Sequence, residues 1–132
     1  MSSSSAAAAA QFPPPQLKAA AEEVASLLKS RGETVCVAET AAGGLISAAL
    51  LATPGASKIY RGGLTLYTLE SRIAFAGWQQ RDIDVYDGPT PTLVEGLARS
   101  VRDKLDATYC IGEVCPLSSI LCPVRARFGS VI

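Results

Sequence analysis

The residues with chemistry to offer gather at Glu39-Thr40-Ala41-Ala42-Gly43-Gly44, between the apolar run Thr34-Val35-Cys36-Val37-Ala38 and an alanine-rich helical stretch at 45–53. A turn from a strand into a helix exposes main-chain N–H groups that the helix leaves unpaired, at the positive end of its dipole. Such a turn can hold a phosphate or stabilise an oxyanion. Thr40 adds a hydroxyl that becomes a nucleophile if a base stands within hydrogen-bond reach. Gly43 and Gly44 let a ligand approach the main chain. The plainer reading carries more weight from spacing alone: Thr40 caps the helix and the glycines permit the turn. Glu39 is either a buried carboxylate that orients the turn or an exposed acid near a helix start. Tyr67 and Arg72 divide in the same way, between packing plus a solvated charge and a pair that contacts substrate. Gly62-Gly63 marks a bulged strand or a close approach to the backbone.

Those residues need elements to position them. A helical period begins at Gln16, with Leu17, Ala20, Val24, Leu27 and Leu28 on one face, Lys29 and Arg31 late, and Gly32 as the stop. Residues 34–38 suit a strand covered on both faces. Helix 45–53 ends at Pro54-Gly55, strand 59–68 carries the glycine pair, and a short helix at 69–76 stops at Gly77. Residues 78–89 read as a loop. Thr92-x-x-Glu95 has the form of a capping box for a helix whose face is Val94, Leu97, Ala98, Val101 and Leu105. A last buried strand covers 107–112. The alternation of strand and helix defines an α/β layered domain over residues 16–113. Residues 1–15, rich in Ser, Ala and Pro, read as a mobile tail. Residues 114–132 follow neither strand nor helix period and contain two Cys-Pro steps, so they take no place in this scheme.

Composition narrows the function classes. The chain has 132 residues, 48% of them hydrophobic, and its 12 Lys plus Arg balance 12 Asp plus Glu, which suits one globular domain. Zero net charge removes the electrostatic case for a nucleic-acid partner. No apolar run approaches the roughly 20 residues of a membrane helix. Four cysteines without histidine or Cys-x-x-Cys spacing argue against a metal site, and Cys36 and Cys110 read as strand core. No cofactor is called for. The Ser- and Ala-rich start lacks a basic n-region, which leaves the cytoplasm as the default compartment and a plastid address open.

Taken in order, Ala38-Glu39-Thr40-Ala41-Ala42-Gly43-Gly44-Leu45, Pro54-Gly55-Ala56-Ser57, Gly62-Gly63 and Tyr67-Thr68-Leu69-Glu70-Ser71-Arg72 resemble the CinA carboxy-terminal domain family of bacterial nicotinamide mononucleotide deamidases. That family carries A-E-S-C-T-G-G-L, P-G-x-S, a glycine pair and Y-[ST]-N-x-x-K, and the resemblance runs from Leu17 to about Glu113. It implies a three-layer α/β/α sandwich with a mostly parallel or mixed sheet. It also implies hydrolysis of a carboxamide C–N bond, converting nicotinamide mononucleotide to nicotinate mononucleotide and ammonia. By motif position the nucleophile falls on Thr40, the assisting base on Arg72 and the positioning tyrosine on Tyr67. A small-molecule nucleotide would meet Glu39, Ala41, Ala42, Gly43, Gly44, Gly62 and Gly63; a homo-oligomer stays open.

Three departures modify that expectation. Thr40 adds a methyl group where attack geometry is tight. Arg72 binds anions but cannot surrender a proton. After Gly112-Glu113 the family's G-[IY]-A-G-P loop, further strands and closing helix do not follow, so the sheet is expected to be incomplete at its carboxy end. The abrupt change at Val114 has the character of a frame change or alternative splice junction. The expectation is therefore a CinA-like amidohydrolase domain with weak or lost activity. The competing classes are a non-catalytic nucleotide-binding or interaction module and an unstable truncated product.

Overall fold

The computed structural model describes residues 10–114 and 120–124, and strand β1, Val35–Glu39, runs through its centre with all five residues buried. Successive side chains of a strand point to opposite faces. Val35 and Val37 pack on one side against Ala21, Ala25 and Leu28 of helix α1 (Pro15–Arg31), Leu50 of α2 (Leu45–Leu51) and Ile59. On the other side Cys36 and Ala38 join Leu66, Ala76, Cys110 and, from helix α5 (Pro91–Leu105), Leu97, Ala98 and Val101. The alternation thus splits the core in two and produces helix layers on both faces of the sheet.

The sheet has the order β2-β1-β3-β4, with β2 at Tyr60–Thr65, β3 at Tyr109–Val114 and β4 at Ile120–Val124. Strands β1, β2 and β3 are parallel, and β4 is antiparallel to β3. The expected α/β/α architecture is therefore present with a mixed sheet. Helices α3 (Leu69–Phe75) and α4 (Gln80–Asp84) carry the chain from β2 to α5.

Four details differ from the expectation, each for a local reason. Helix α1 ends at Gly32 with φ 61°, but the side it buries is Ala21, Ala25 and Leu28, while Leu17, Val24 and Leu27 are 37–53% exposed. Its small alanines allow close approach to the sheet, and the larger residues flank that seam. Residues 78–89 contain α4, opened by a reciprocal capping box between Gln79 and Asp82. Helix α5 starts two residues early: Thr90 Oγ1 accepts from the Leu93 N–H at 3.2 Å, and Pro91 occupies the first turn, where a missing N–H costs nothing. Glu95 is released to pair with Arg99 one turn on. Part of the stretch after Val114 forms β4, pairing its main chain with β3. The proposed tail at 1–15 lies largely outside the described residues.

The glycines of β2 and β3 seat the helices. Pairing jumps from Val35–Tyr60 to Cys36–Gly62, so Arg61 is the extra residue of a bulge. A Cβ on Gly63 would come within 2.6 Å of Ser47 Oγ, and one on Gly62 within 3.3 Å of Leu105 Cδ1. The close approach foreseen at this pair is made by the protein's own side chains. Gly112 is similar, since its Cβ would stand 2.9 Å from Val94 Cγ1 and 3.1 Å from Ala98 Cβ. Gly112→Ala should lower unfolding free energy by about 1–3 kcal/mol through overpacking. Gly96→Ala, where a Cβ meets nothing within 4 Å, should raise it by up to about 1 kcal/mol by favouring the helix. Urea unfolding of both variants checks the pair.

Cys36 and Cys110 are register partners, 0% and 1% exposed. The Cys110 thiol is pushed up, first by its hydrogen bond to Cys36 and then by burial. Unfolded chain would release this proton near the ordinary 9.0, whereas the folded chain holds it to higher pH. Iodoacetamide should spare both thiols in native protein and modify both in denaturant, as peptide mass spectrometry would show; labelling of native protein at either would contradict this packing.

Candidate functional site

Two buried carboxylates build the turn after β1. Register places Ala38 opposite Gly112, so the next residues, Glu39 and Glu113, come side by side near the carboxyl ends of parallel strands. Glu39 is 1% exposed, and its Oε1 and Oε2 accept from the Ile46 and Ser47 N–H groups of α2 at 2.7 and 3.1 Å. Glu113 is 8% exposed, and its Oε2 accepts from the N–H groups of Thr40 and Ala42 at 3.0 and 2.9 Å. Its main-chain oxygen accepts from Thr40 Oγ1 at 3.2 Å. Buried carboxylates require such donors, and bonds to a charged group contribute about 1.5–3 kcal/mol each.

This arrangement corrects the expectation of unpaired donors in the turn. Gly43 N–H is bonded to the Thr40 oxygen and Leu45 N–H to the Ala42 oxygen. The Ala41 N–H stays without an acceptor among the described residues. Glu39 is the buried, orienting carboxylate of the two readings. Gly43 and Gly44 have φ 65° and 97°, so the turn's own backbone demands them, while a Cβ at either would meet nothing closer than 3.8 Å.

Thr40 and Ala41 form one wall of a cleft of about 480 Å³ that Tyr67, Arg72, Tyr86 and Val114 also line. The structure thus brings Thr40, Ala41, Tyr67 and Arg72 together. Glu39 stands beneath α2, Ala42, Gly43 and Gly44 complete the turn behind the cleft wall, and Gly62 and Gly63 lie in β2 beneath the helices. Tyr67 is 71% exposed at the cleft.

Arg72 is no solvated charge. It is 4% exposed, its Nε donates to the Leu66 oxygen at 3.1 Å, and its Cζ stands 5.1 Å from the Trp78 ring centre and 5.6 Å from that of Tyr86. Cation–π attraction and burial hold the guanidinium in place. Its Nη1 is buried without a hydrogen-bond partner. Sequence reasoning passed over Glu113, Trp78 and Tyr86. An acid at the end of a buried strand was a usable signal for Glu113. The lone tryptophan in a segment read as loop was one for Trp78. The role of Tyr86 depends on α4, which brings both rings to the same arginine.

Among the described residues no group of His, Cys, Asp or Glu could hold a metal ion, and no helix is long and apolar enough to cross a membrane. Replacing Glu113 with Ala strands the Thr40 and Ala42 N–H groups. The expected cost is about 1–3 kcal/mol, with a smaller loss for Glu113→Gln, which keeps an acceptor oxygen. Guanidinium chloride unfolding measures both; equal stability of Glu113→Ala and the parent would remove the carboxylate from this role.

Helices on both faces of a largely parallel sheet, with polar groups collected beyond the strands' carboxyl ends, define an α/β domain of the kind that places ligands at that edge. Residues 17–114 match the family model described as the CinA C-terminal domain, and the chain belongs to that family. A CinA-like protein of Prochlorococcus marinus is 35% identical over 88 residues, which cover 67% of this chain and 20% of that protein. Another, of Shewanella amazonensis, is 32% identical over 90 residues, 68% of this chain and 21% of the relative. The chain thus spans about a fifth of the length of these relatives. Its fold is similar to that of the competence/damage inducible protein CihA from Agrobacterium tumefaciens, with TM-score 0.73, 19% identity, and coverage of 79% of this chain and 63% of that one. A CinA superfamily protein from Escherichia coli gives TM-score 0.70 at 18% identity, covering 74% and 57%.

Proposed function

We propose that this chain is a pyridine-nucleotide-binding domain on the frame of a carboxamide hydrolase, in which conversion of nicotinamide mononucleotide to nicotinate mononucleotide and ammonia is weak or lost. The observation that carries the reading is the bonding of Thr40. An amide hydrolase of this plan needs a hydroxyl to lose its proton and attack the carboxamide carbon. The C–N bond then breaks, ammonia leaves, and water cleaves the resulting ester to release the acid. Thr40 Oγ1 instead donates to the Glu113 main-chain oxygen at 3.2 Å, an acceptor too weakly basic to take the proton. The cation across the cleft, Arg72, is a guanidinium, which does not serve as a general base. Lack of a positioned base typically costs about 10²- to 10⁴-fold in rate. The Thr40 and Ala42 N–H groups, which would suit a developing oxyanion, are held by the Glu113 carboxylate.

The cleft still suits a ligand. Its volume of about 480 Å³ falls within the range of small-molecule sites, and a cation and aromatic rings line it. Ammonia release from nicotinamide mononucleotide should stay at background in the parent chain. The double change Thr40→Ser with Arg72→Lys should raise it by at least about tenfold, since it restores an unbranched nucleophile and a side chain that can act as a base. Parent turnover near about 1 s⁻¹, the lower end of ordinary enzymes, would overturn this reading.

A further inference from the structure

We propose that the cleft at Arg72 is a carboxylate subsite, so that the chain selects an aromatic acid over the corresponding carboxamide; the pyridine nucleotide as ligand rests on the function proposed above. The starting point is Nη1 of Arg72, a buried donor with no partner in a residue 4% exposed. Nε of the same side chain is committed to the Leu66 oxygen, and Trp78 and Tyr86 approach the guanidinium at 5.1 and 5.6 Å. Among the described residues no carboxylate forms an ion pair with it. An arginine cannot escape this cost by losing its proton, as a lysine can. The unmet donor on a permanent charge calls for an acceptor that the described residues do not supply.

The chemistry of that acceptor follows from the fork. Nε is the one donor of this guanidinium with a bond among the described residues, so its Nη groups are left to an outside acceptor, and planar guanidinium donors match the two oxygens of a carboxylate. A carboxamide has one acceptor oxygen and turns an NH₂ donor toward a second donor, so the same donors reject it. Ala41 N–H, without an acceptor among the described residues, belongs to a residue on another wall of the cleft. Tyr67, 71% exposed, supplies a ring at the mouth against which a planar ligand can stack. Glu70 also lines the cleft, but it is exposed, where salt and water screen its opposition to an anion. An acid-selective cleft also fits the bonding of Thr40, because a site that retains the acid has no further chemistry to perform on it.

Isothermal titration of the full chain with nicotinate mononucleotide, nicotinamide mononucleotide, free nicotinate, free nicotinamide and inorganic phosphate tests the proposal. The acid of each pair should bind about tenfold to a hundredfold more tightly than the amide, the difference expected of a charge-assisted pair. Arg72→Gln should abolish the preference. Arg72→Lys, which keeps the charge and loses the fork, should reduce it, and this decides the matter if the Gln variant fails to fold. Equal or tighter binding of the amides would overturn the carboxylate subsite and leave the nucleotide reading standing. Selective binding of free nicotinate without either mononucleotide would do the reverse. Binding of inorganic phosphate alone, or of none of the five, would sink both.

Discussion

Two carboxylates that end neighbouring parallel strands hold the site together. Glu39 ties the start of α2 to β1, and Glu113 ties the turn between them to β3. Neither group tolerates burial without donors, and the turn has donors that no helix can satisfy. Each requirement meets the other. A strand-to-helix turn that would otherwise present bare N–H groups to a ligand is thereby closed by the protein's own acids. The hydroxyl of Thr40, drawn toward the Glu113 main chain, follows from the same geometry. What the strand-to-helix turn suggests in the sequence as an open anion hole is, in this chain, largely a structural joint.

The cation lies across the cleft and is governed by a different constraint. Leu66 precedes the residues that turn the chain from β2 into α3, and its oxygen fixes Arg72 Nε. The short helix α4 then lets Trp78 and Tyr86 converge on the guanidinium from one segment of chain. Burial of a charge between aromatic rings is tolerable when its hydrogen bonds are complete. One is not, and that incompleteness gives the cleft a chemical preference.

Much of the frame was legible in the sequence, because period and punctuation act locally. β1 reads as a doubly covered strand since both its faces are apolar, and Gly32 ends α1 because the left-handed conformation there suits glycine. The buried face of α1 was not legible, since which stripe meets the sheet depends on how closely alanines let two elements approach. The start of α5 slipped by two residues because Thr90 and Thr92 both make credible caps and Pro91 favours the first. At the site, Thr40, Tyr67 and Arg72 could be chosen from motif spacing. Glu113 could not be joined to them by spacing, since it comes 73 residues after Thr40 and meets it only through strand register. The same holds for the fate of Arg72, whose burial depends on a helix hidden in a polar stretch.

The claim on which the account depends is that Glu39 and Glu113 occupy the main-chain donors of the turn. Amide hydrogen exchange of Thr40, Ala42, Ile46 and Ser47, followed by NMR with Ala41 as the internal reference, addresses it directly. The account predicts slow exchange at those four amides and fast exchange at Ala41, with protection of Thr40 and Ala42 lost in Glu113→Ala and that of Ile46 and Ser47 lost in Glu39→Ala. Exchange of Thr40 and Ala42 as fast as that of Ala41 in the parent chain would contradict it.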